Sequence, residues 1–263
     1  SASAPVAIIL AMGRQGGLGE AELASWIFGV FFVNGALTIL LSWVWRRPMA
    51  MAWTIPGTVL VGPALSHASL AEVVGAYLVT GAAMVALGLS GVMRRAMRAV
   101  PMPIVMGMVA GVFLRFGLDL VRSLVEDPVI AAPMVAVWLA LGVLPTWGRR
   151  LPPIIGALLV GAVAAVMLGR LDGAWPEAIE IARPILQRPA WSWTALVELV
   201  VPLGITVLVV QNGQGFAVLR NAGHEPPIDV VTIACGLGSM IAACVGAVST
   251  CLAGPTNAIL TSS

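Results

Sequence analysis

Apolar residues fall in runs long enough to cross a bilayer, a task that takes about 20 mostly apolar residues in helical form. Full or nearly full spans are expected at Ser1–Gly17, Leu23–Trp45, Leu70–Met93, Pro103–Val121, Val129–Leu144, Ile154–Leu168, Leu196–Ala222 and Val230–Val248. Two further runs are shorter and interrupted. Met49–Leu65 contains Ile55-Pro56-Gly57-Thr58 and then Gly62-Pro63, and Ser249–Ser263 contains Gly254-Pro255-Thr256-Asn257. The apolar pattern begins almost at once and stops inside a run, and Ser1 stands where a start Met would be, so a piece of a longer protein is expected.

The polar positions between the runs test this map, because cytoplasmic loops of membrane proteins carry an excess of Arg and Lys. If Met49–Leu65 crosses despite its break, one side receives Arg46, Arg47, Arg94, Arg95, Arg98, Arg149, Arg150 and Arg220 against only Glu225 and Asp229. The opposite side receives the other six Arg and ten acids. If the segment does not cross, Arg46-Arg47 and Arg94-Arg95 separate. The broken run is therefore expected to cross, with Arg46-Arg47 cytoplasmic in an inner membrane. Gly169–Ser192 becomes an outer loop with Trp belts. An amphipathic helix in the interface around Pro176–Leu186 is a second reading of that loop.

Composition agrees. Hydrophobic residues are 59% and charged residues 10% of 263 positions, and the mean hydropathy is +0.99. A soluble surface needs far more charge. The expected class is thus an all-α integral membrane protein bound to the lipid bilayer. The formal net charge is +2, the basic side chains are all Arg, and no basic stripe suggests nucleic acid. Cys235, Cys244 and Cys251 lack a metal or redox spacing. No metal cluster, phosphate loop or nucleophile–base set emerges, so neither an enzyme nor a cofactor is expected.

The two interrupted runs are the best pointers to a binding site, since irregular backbone is tolerated at membrane depth only where protein or a cavity satisfies it. A half-helix that starts inside the membrane presents free N–H groups and a positive dipole end, which suits an anion. A proline kink in an ordinary span is the alternative. Gln15-Gly16 precedes Pro56 by 41 positions and Gln214-Gly215 precedes Pro255 by 41. This reads as a worn internal repeat, inverted because seven spans precede the second copy. The run Gln211-Asn212-Gly213-Gln214-Gly215 places three amides inside an apolar span, where polarity marks function by default and helix packing is the alternative. Asn34 reads as packing glue. His67 and His224 fall in loops and are weak proton-relay candidates, and Glu198 reads as a helix N-terminal charge.

Trp53-Thr54-Ile55-Pro56-Gly57, Leu114-Arg115-Phe116-Gly117-Leu118, Gln211-Asn212 with Ala217-Val218-Leu219-Arg220-Asn221-Ala222-Gly223, and Pro226-Pro227 resemble the benzoate/proton symporter (BenE-type) family, over essentially the whole chain. That family is related to the nucleobase and sulfate permeases. The resemblance implies two inverted repeats of seven spans, broken at the third and tenth, of which this chain covers about the first ten. It implies a core domain of residues 1–93 and 193–263, a gate domain of 94–168 and an outer loop of 169–192. Substrate would lie between the third and tenth spans, beside the eighth. Carried onto this chain, the third-span site is Thr54, Pro56, Gly57 and Thr58. The eighth-span site is Gln211, Asn212 and Gly215. The tenth-span site is Gly254, Pro255, Thr256 and Asn257.

The related nucleobase permeases place a carboxylate in the eighth span where this chain has Gln211, and loss of that charge suits an anion. The implied function is import of benzoate or a similar small aromatic carboxylate with protons, by alternating access of core against gate. A homodimer through the gate is implied as well. No intramembrane carboxylate is evident as proton acceptor. A carrier of inorganic anions or nucleobases, a non-transporting scaffold or receptor, and an anion channel are the competing classes.

Overall fold

The computed structural model describes residues 3–99, 114, 117–118, 120–143, 153–170 and 183–261. In chain order the elements are α1 (Ser3–Gln15), α2 (Glu20–Trp45), β1 (Met51–Trp53), α3 (Ile55–Leu65), α4 (Leu70–Leu89), α5 (Val92–Ala99), α6 (Pro128–Val143), α7 (Pro153–Met167) and α8 (Trp193–Ile205). A π-helical turn over Thr206–Gln211 joins α8 to α9 (Asn212–Asn221). There follow α10 (Ile228–Ala243), β2 (Thr250–Leu252) and α11 (Gly254–Thr261). The architecture is helical, with several apolar helices. Those over Glu20–Trp45, Leu70–Leu89 and Trp193–Asn221 are long and apolar enough to cross a membrane. The expected Pro103–Val121 span, the Leu114–Leu118 motif and the interfacial helix around Pro176–Leu186 fall largely outside the described residues.

Residues 1–110 with 182–263 form one compact unit and 111–181 form another. In the smaller unit α6 packs on α7, with Gly161 admitting the Met134 thioether. Arg170 is ion-paired with Asp127.

The larger unit is organised by the pairing of α4 with α10. A Cβ on Gly236 would sit 2.7 Å from the Gly81 carbonyl oxygen, and one on Gly81 2.8 Å from that of Gly236. Small residues here let two backbones touch, the usual way helices associate where lipid removes the hydrophobic drive. The helix starts are well specified: Ser69 and Glu72 form a reciprocal capping box on α4, and the Glu72 carboxylate accepts from the Ser69 N–H at 2.8 Å. Arg46, in the left-handed conformation at φ 50°, ends α2. At this end Arg94 meets Asp229 at 3.0 Å and Arg220 lies 3.8 Å from Glu225, so the acids of the Arg-rich side each face an Arg.

At the opposite end, residues 183–192 form an extended strap. Ile185 N–H donates to Ser25 Oγ, Gln187 N–H to the Cys244 carbonyl and Ala190 N–H to the Ala71 carbonyl. Large apolar side chains such as Ile39, Trp43 and Leu89 point outward and stay exposed. That is the surface a lipid-facing helix presents.

The Met49–Leu65 run is a three-residue strand leading into a half-helix rather than a kinked span. Pro56 has no N–H to offer and a preset φ, so it belongs in the first turn of a helix and the helix starts there. Gly254-Pro255 opens α11 in the same way.

Candidate functional site

The two interrupted runs meet. β1 and β2 pair antiparallel, with Met51 opposite Leu252, Ala52 opposite Cys251 and Trp53 opposite Thr250. Two further backbone bonds extend the ladder, Thr54 N–H to the Ser249 carbonyl at 3.0 Å and Ala253 N–H to the Ala50 carbonyl at 3.2 Å. Because each strand runs straight into a half-helix, α3 and α11 begin at opposite ends of this ribbon. Strand rise puts their cap residues, Thr54 and Ala253, roughly 13 Å apart along it.

A two-strand ribbon inside a helical unit has two exposed edges that must be satisfied. Side chains of the surrounding helices do this. Thr38 Oγ1 accepts from Met51 N–H at 2.8 Å and Ser42 Oγ accepts from Met49 N–H at 3.1 Å, both from α2. The Asn257 side chain accepts from Ala50 N–H at 2.8 Å and donates to the carbonyls of Ala50 and Ala253 at 2.9 and 2.7 Å. Asn212 Oδ1 accepts from Leu252 N–H at 2.7 Å, while its amide group meets Cys235 Sγ at 3.5 Å. Ser239 Oγ accepts from Thr250 N–H at 2.9 Å.

The amide cluster is set by the π turn. Asn212 N–H bonds to the carbonyl of Val207, five residues back, just after Pro202 interrupts the α8 ladder. Single π turns in α-helices commonly mark functional sites. This one packs against both β2 and α3. Gly215, one turn on, lies against the ribbon: a Cβ there would sit 2.5 Å from the Leu252 carbonyl oxygen. Gln211 and Gln214 are buried to 9% exposure, and neither side-chain amide has a hydrogen-bond partner among the described residues. Gln214 stands beside Gly254, with Oε1 3.5 Å from where a Gly254 Cβ would be.

The half-helix starts differ in what they leave open. At α3, Thr54 Oγ1 accepts from Gly57 N–H at 3.1 Å and the Thr54 carbonyl accepts from Thr58 N–H at 3.0 Å. The Thr58 hydroxyl donates to the same carbonyl. At α11, Ala253 stands where α3 has Thr54 and offers no side-chain oxygen. Asn257 N–H reaches the Ala253 carbonyl at 3.0 Å, while the N–H groups of Gly254 and Thr256 have no partner among the described residues. Two backbone N–H groups and a positive helix end thus lie together beside the Gln214 amide, whose oxygen faces Gly254 and whose NH2 would face it with the amide turned over. No carboxylate belongs to any of these elements, and they form a donor set suited to an anion.

The whole chain, residues 1–263, matches the family model described as "Benzoate membrane transport protein". The chain belongs to the BenE family. It is 29% identical over 259 residues to the "Benzoate membrane transport protein" of Acinetobacter baylyi, covering 97% of this chain and 64% of that protein. It is 29% identical over 257 residues to "Inner membrane protein YdcO" of Escherichia coli, covering 96% and 63%. The chain therefore spans just under two thirds of the length of these relatives. The BenE family is a membrane transport family and not an enzyme family. The inner-membrane name of the second relative accords with the apolar helices.

Within this BenE chain the residues singled out from the sequence occupy distinct places around the ribbon. Thr54, Pro56, Gly57 and Thr58 form the closed first turn of α3. Gly254, Pro255 and Thr256 form the open first turn of α11. Asn212 and Asn257 spend their polar groups on the ribbon backbone, and Gly215 permits α9 to approach it. Gln214, one of the three amides of the polar run but not among the residues carried over from the family resemblance, is the amide beside the open helix end. Thr38 and Ser42 were missed. Their spacing of four residues on one face of α2 is visible in the sequence, but the strand they hold is not. Three further polar atoms at the ribbon, Trp53 Nε1, Ser249 Oγ and Thr250 Oγ1, are buried without a partner among the described residues.

Proposed function

We propose that this chain is the substrate-carrying part of a secondary transporter that imports benzoate or a similar aromatic carboxylate together with protons. The carboxylate binds at the first turn of α11, accepting from the N–H groups of Gly254 and Thr256 and from the Gln214 amide, with Gln211 contributing from the π turn. Asn212 and Asn257 hold the ribbon that fixes these donors. The uncapped start of α11 beside two unpartnered amides carries this reading. Hydrogen bonds to a charged group are worth about 1.5–3 kcal/mol each. Neutral donors supply them without the repulsion that a fixed carboxylate would impose on an anion.

On this reading the ribbon, α1–α4 and α8–α11 are the core and residues 94–168 the gate, in an inverted-repeat plan. Transport alternates access by moving core against gate, and the Arg46 end faces the cytoplasm. Charge asymmetry and family membership support that assignment. The test is uptake of labelled benzoate into proteoliposomes holding the complete protein, with and without an inward proton gradient. Saturable uptake raised by the gradient is expected. Uptake of sulfate or uracil that benzoate does not compete with would assign a different substrate class.

A further inference from the structure

The strap is built into the larger unit at several points. In Arg183-Pro184-Ile185-Leu186-Gln187-Arg188-Pro189-Ala190-Trp191-Ser192 two prolines preset φ and favour extended backbone. The N–H groups left between them are spent on three different helices. Ile185 N–H donates to Ser25 Oγ of α2 at 2.9 Å. Gln187 N–H donates to the Cys244 carbonyl at the end of α10, and Ala190 N–H to the Ala71 carbonyl in α4, both at 2.8 Å. At α4 backbone lies on backbone, since a Cβ on Gly75 would collide with the Ala190 carbonyl oxygen. Ser192 then caps α8, its hydroxyl accepting from Ala195 N–H at 3.5 Å.

Ser25 links this strap to the ribbon. It is fully buried, and its hydroxyl serves two segments at once, accepting from Ile185 N–H and donating to the Val245 carbonyl at 2.9 Å. Val245 belongs to residues 244–249, which carry the chain from α10 into β2. One turn further along α2 the same segment is gripped again. A Cβ on Gly29 would meet Val245 Cγ2 at 2.5 Å and Ala247 Cβ at 2.7 Å. From the strap side Gln187 lies against Gly246, whose φ of 77° turns the chain toward β2. Ser249 then accepts from Thr54 N–H, Thr250 opens β2, and Gly254 follows two residues after its end. α2 also holds the β1 edge through Thr38 and Ser42. Ser25 therefore fixes the entry of β2 to the helix that holds β1.

We propose that residues 183–192 are a fixed clamp of the ribbon-bearing unit, and that Ser25 is the positioning residue through which the clamp sets β2 and hence the donors at the start of α11. The strap travels with that unit through the transport cycle and is not a lid that lifts for substrate. The effect on benzoate rests on the function proposed above; the effect on the ribbon does not.

The test uses the complete protein in proteoliposomes. Benzoate uptake kinetics are measured alongside hydrogen exchange at the amides of Ile185, Gln187, Thr250 and Leu252. Ser25→Ala removes the acceptor of one bond and the donor of the other, so exchange should quicken at all four amides. The half-saturating benzoate concentration should rise about three- to tenfold, the size of one neutral hydrogen bond. The maximal rate should stay within about twofold, as for a loss of binding alone. Ser25→Thr keeps the hydroxyl and should restore both readouts. A disulfide between Ala71→Cys and Ala190→Cys, in a Cys244→Ser background, fastens the strap to α4. Uptake should run equally fast with this bond oxidised or reduced. Uptake that stops on oxidation and returns on reduction would show that the strap must leave α4, and would overturn the clamp. Wild-type exchange at Thr250 and Leu252 in Ser25→Ala would overturn the positioning role. Faster exchange at these two amides, reversed in Ser25→Thr, in a protein that carries no benzoate would keep the clamp and remove the substrate reading.

Discussion

The two half-helices look alike in sequence and differ in what they offer a ligand. Trp53-Thr54-Ile55-Pro56-Gly57-Thr58 aligns position by position with Leu252-Ala253-Gly254-Pro255-Thr256-Asn257. Both place a proline at the second helical position, and both leave the ribbon in antiparallel pairing. At α3 the threonine at the cap closes the turn with its own oxygen, and Thr58 turns its hydroxyl back onto the same residue. At α11 the cap position is Ala253, and the residue aligned with Thr58 is Asn257, which reaches across to Ala50. In one broken span only the Ile55 N–H of the first turn lacks a partner among the described residues. The other is braced against its partner and left open at its amides. A repeated motif supplies the scaffold twice, and on the function proposed above the hydroxyl at the cap distinguishes the copy that binds from the copy that does not.

The largest effect should come from removing the brace. Asn257→Leu leaves the N–H of Ala50 unpaired at a site with 2% exposure, and leaves its carbonyl with the Ala253 N–H as one donor where it had two. An orphaned group costs about 1–3 kcal/mol, so unfolding in detergent should occur at a markedly lower temperature and transport should vanish. Asn212→Leu should behave similarly through Leu252 N–H. Loss of flux in either variant therefore reports on the ribbon and not on ligand contact. If Asn257→Leu melts like the wild type, the ribbon is not what holds the two spans together.

Gly215→Ala comes next. Its methyl group would meet the Leu252 carbonyl at 2.5 Å, so α9 or β2 must shift. Overpacking of this kind costs about 1–3 kcal/mol, read as a lower melting temperature. Gln214→Leu sharpens the contrast between the half-helices directly. It removes an amide with no partner among the described residues, so stability should hold while benzoate affinity drops about tenfold or more, as the loss of one charge-assisted bond implies. Thr58→Val in the closed turn should change affinity far less. Equal losses of affinity in these two variants would erase the asymmetry.

Much of this was readable from the chain because the membrane simplifies the code. Long apolar runs give α2, α4 and the α8–α9 helix almost directly, and Pro-Gly interruptions mark the two short helices. The ribbon was not readable. Met51-Ala52-Trp53 has no alternation to betray a strand, and its partner lies about two hundred positions away. Nor does sequence separate the amides. Gln211, Asn212 and Gln214 look equivalent until the π turn fixes their directions, after which one braces β2 and two remain free. Asn34, read as glue between helices, instead donates to the Val30 carbonyl within its own helix. His67, read as a loop residue, lies 2.8 Å from Glu198, read as a dipole charge, because only the packing of α3 on α8 brings them together.

The smallest and most specific change is to exchange the caps. Ala253→Ser would give α11 the oxygen that Thr54 gives α3, within reach of Thr256 N–H. An N-cap hydroxyl is worth about 0.5–2 kcal/mol, so this variant should melt slightly higher than the wild type. The same bond occupies an amide that the carboxylate needs, so benzoate affinity should fall a few-fold even as stability rises. Thr54→Ala runs the other way. It frees Gly57 N–H and lowers the melting temperature by a comparable amount, with little change in affinity, because Gln214 stands at α11 and not at α3. Opposite signs for stability and affinity in Ala253→Ser are hard to obtain from any nonspecific disturbance. A variant that gained stability and kept full affinity would show that the anion does not sit at the start of α11.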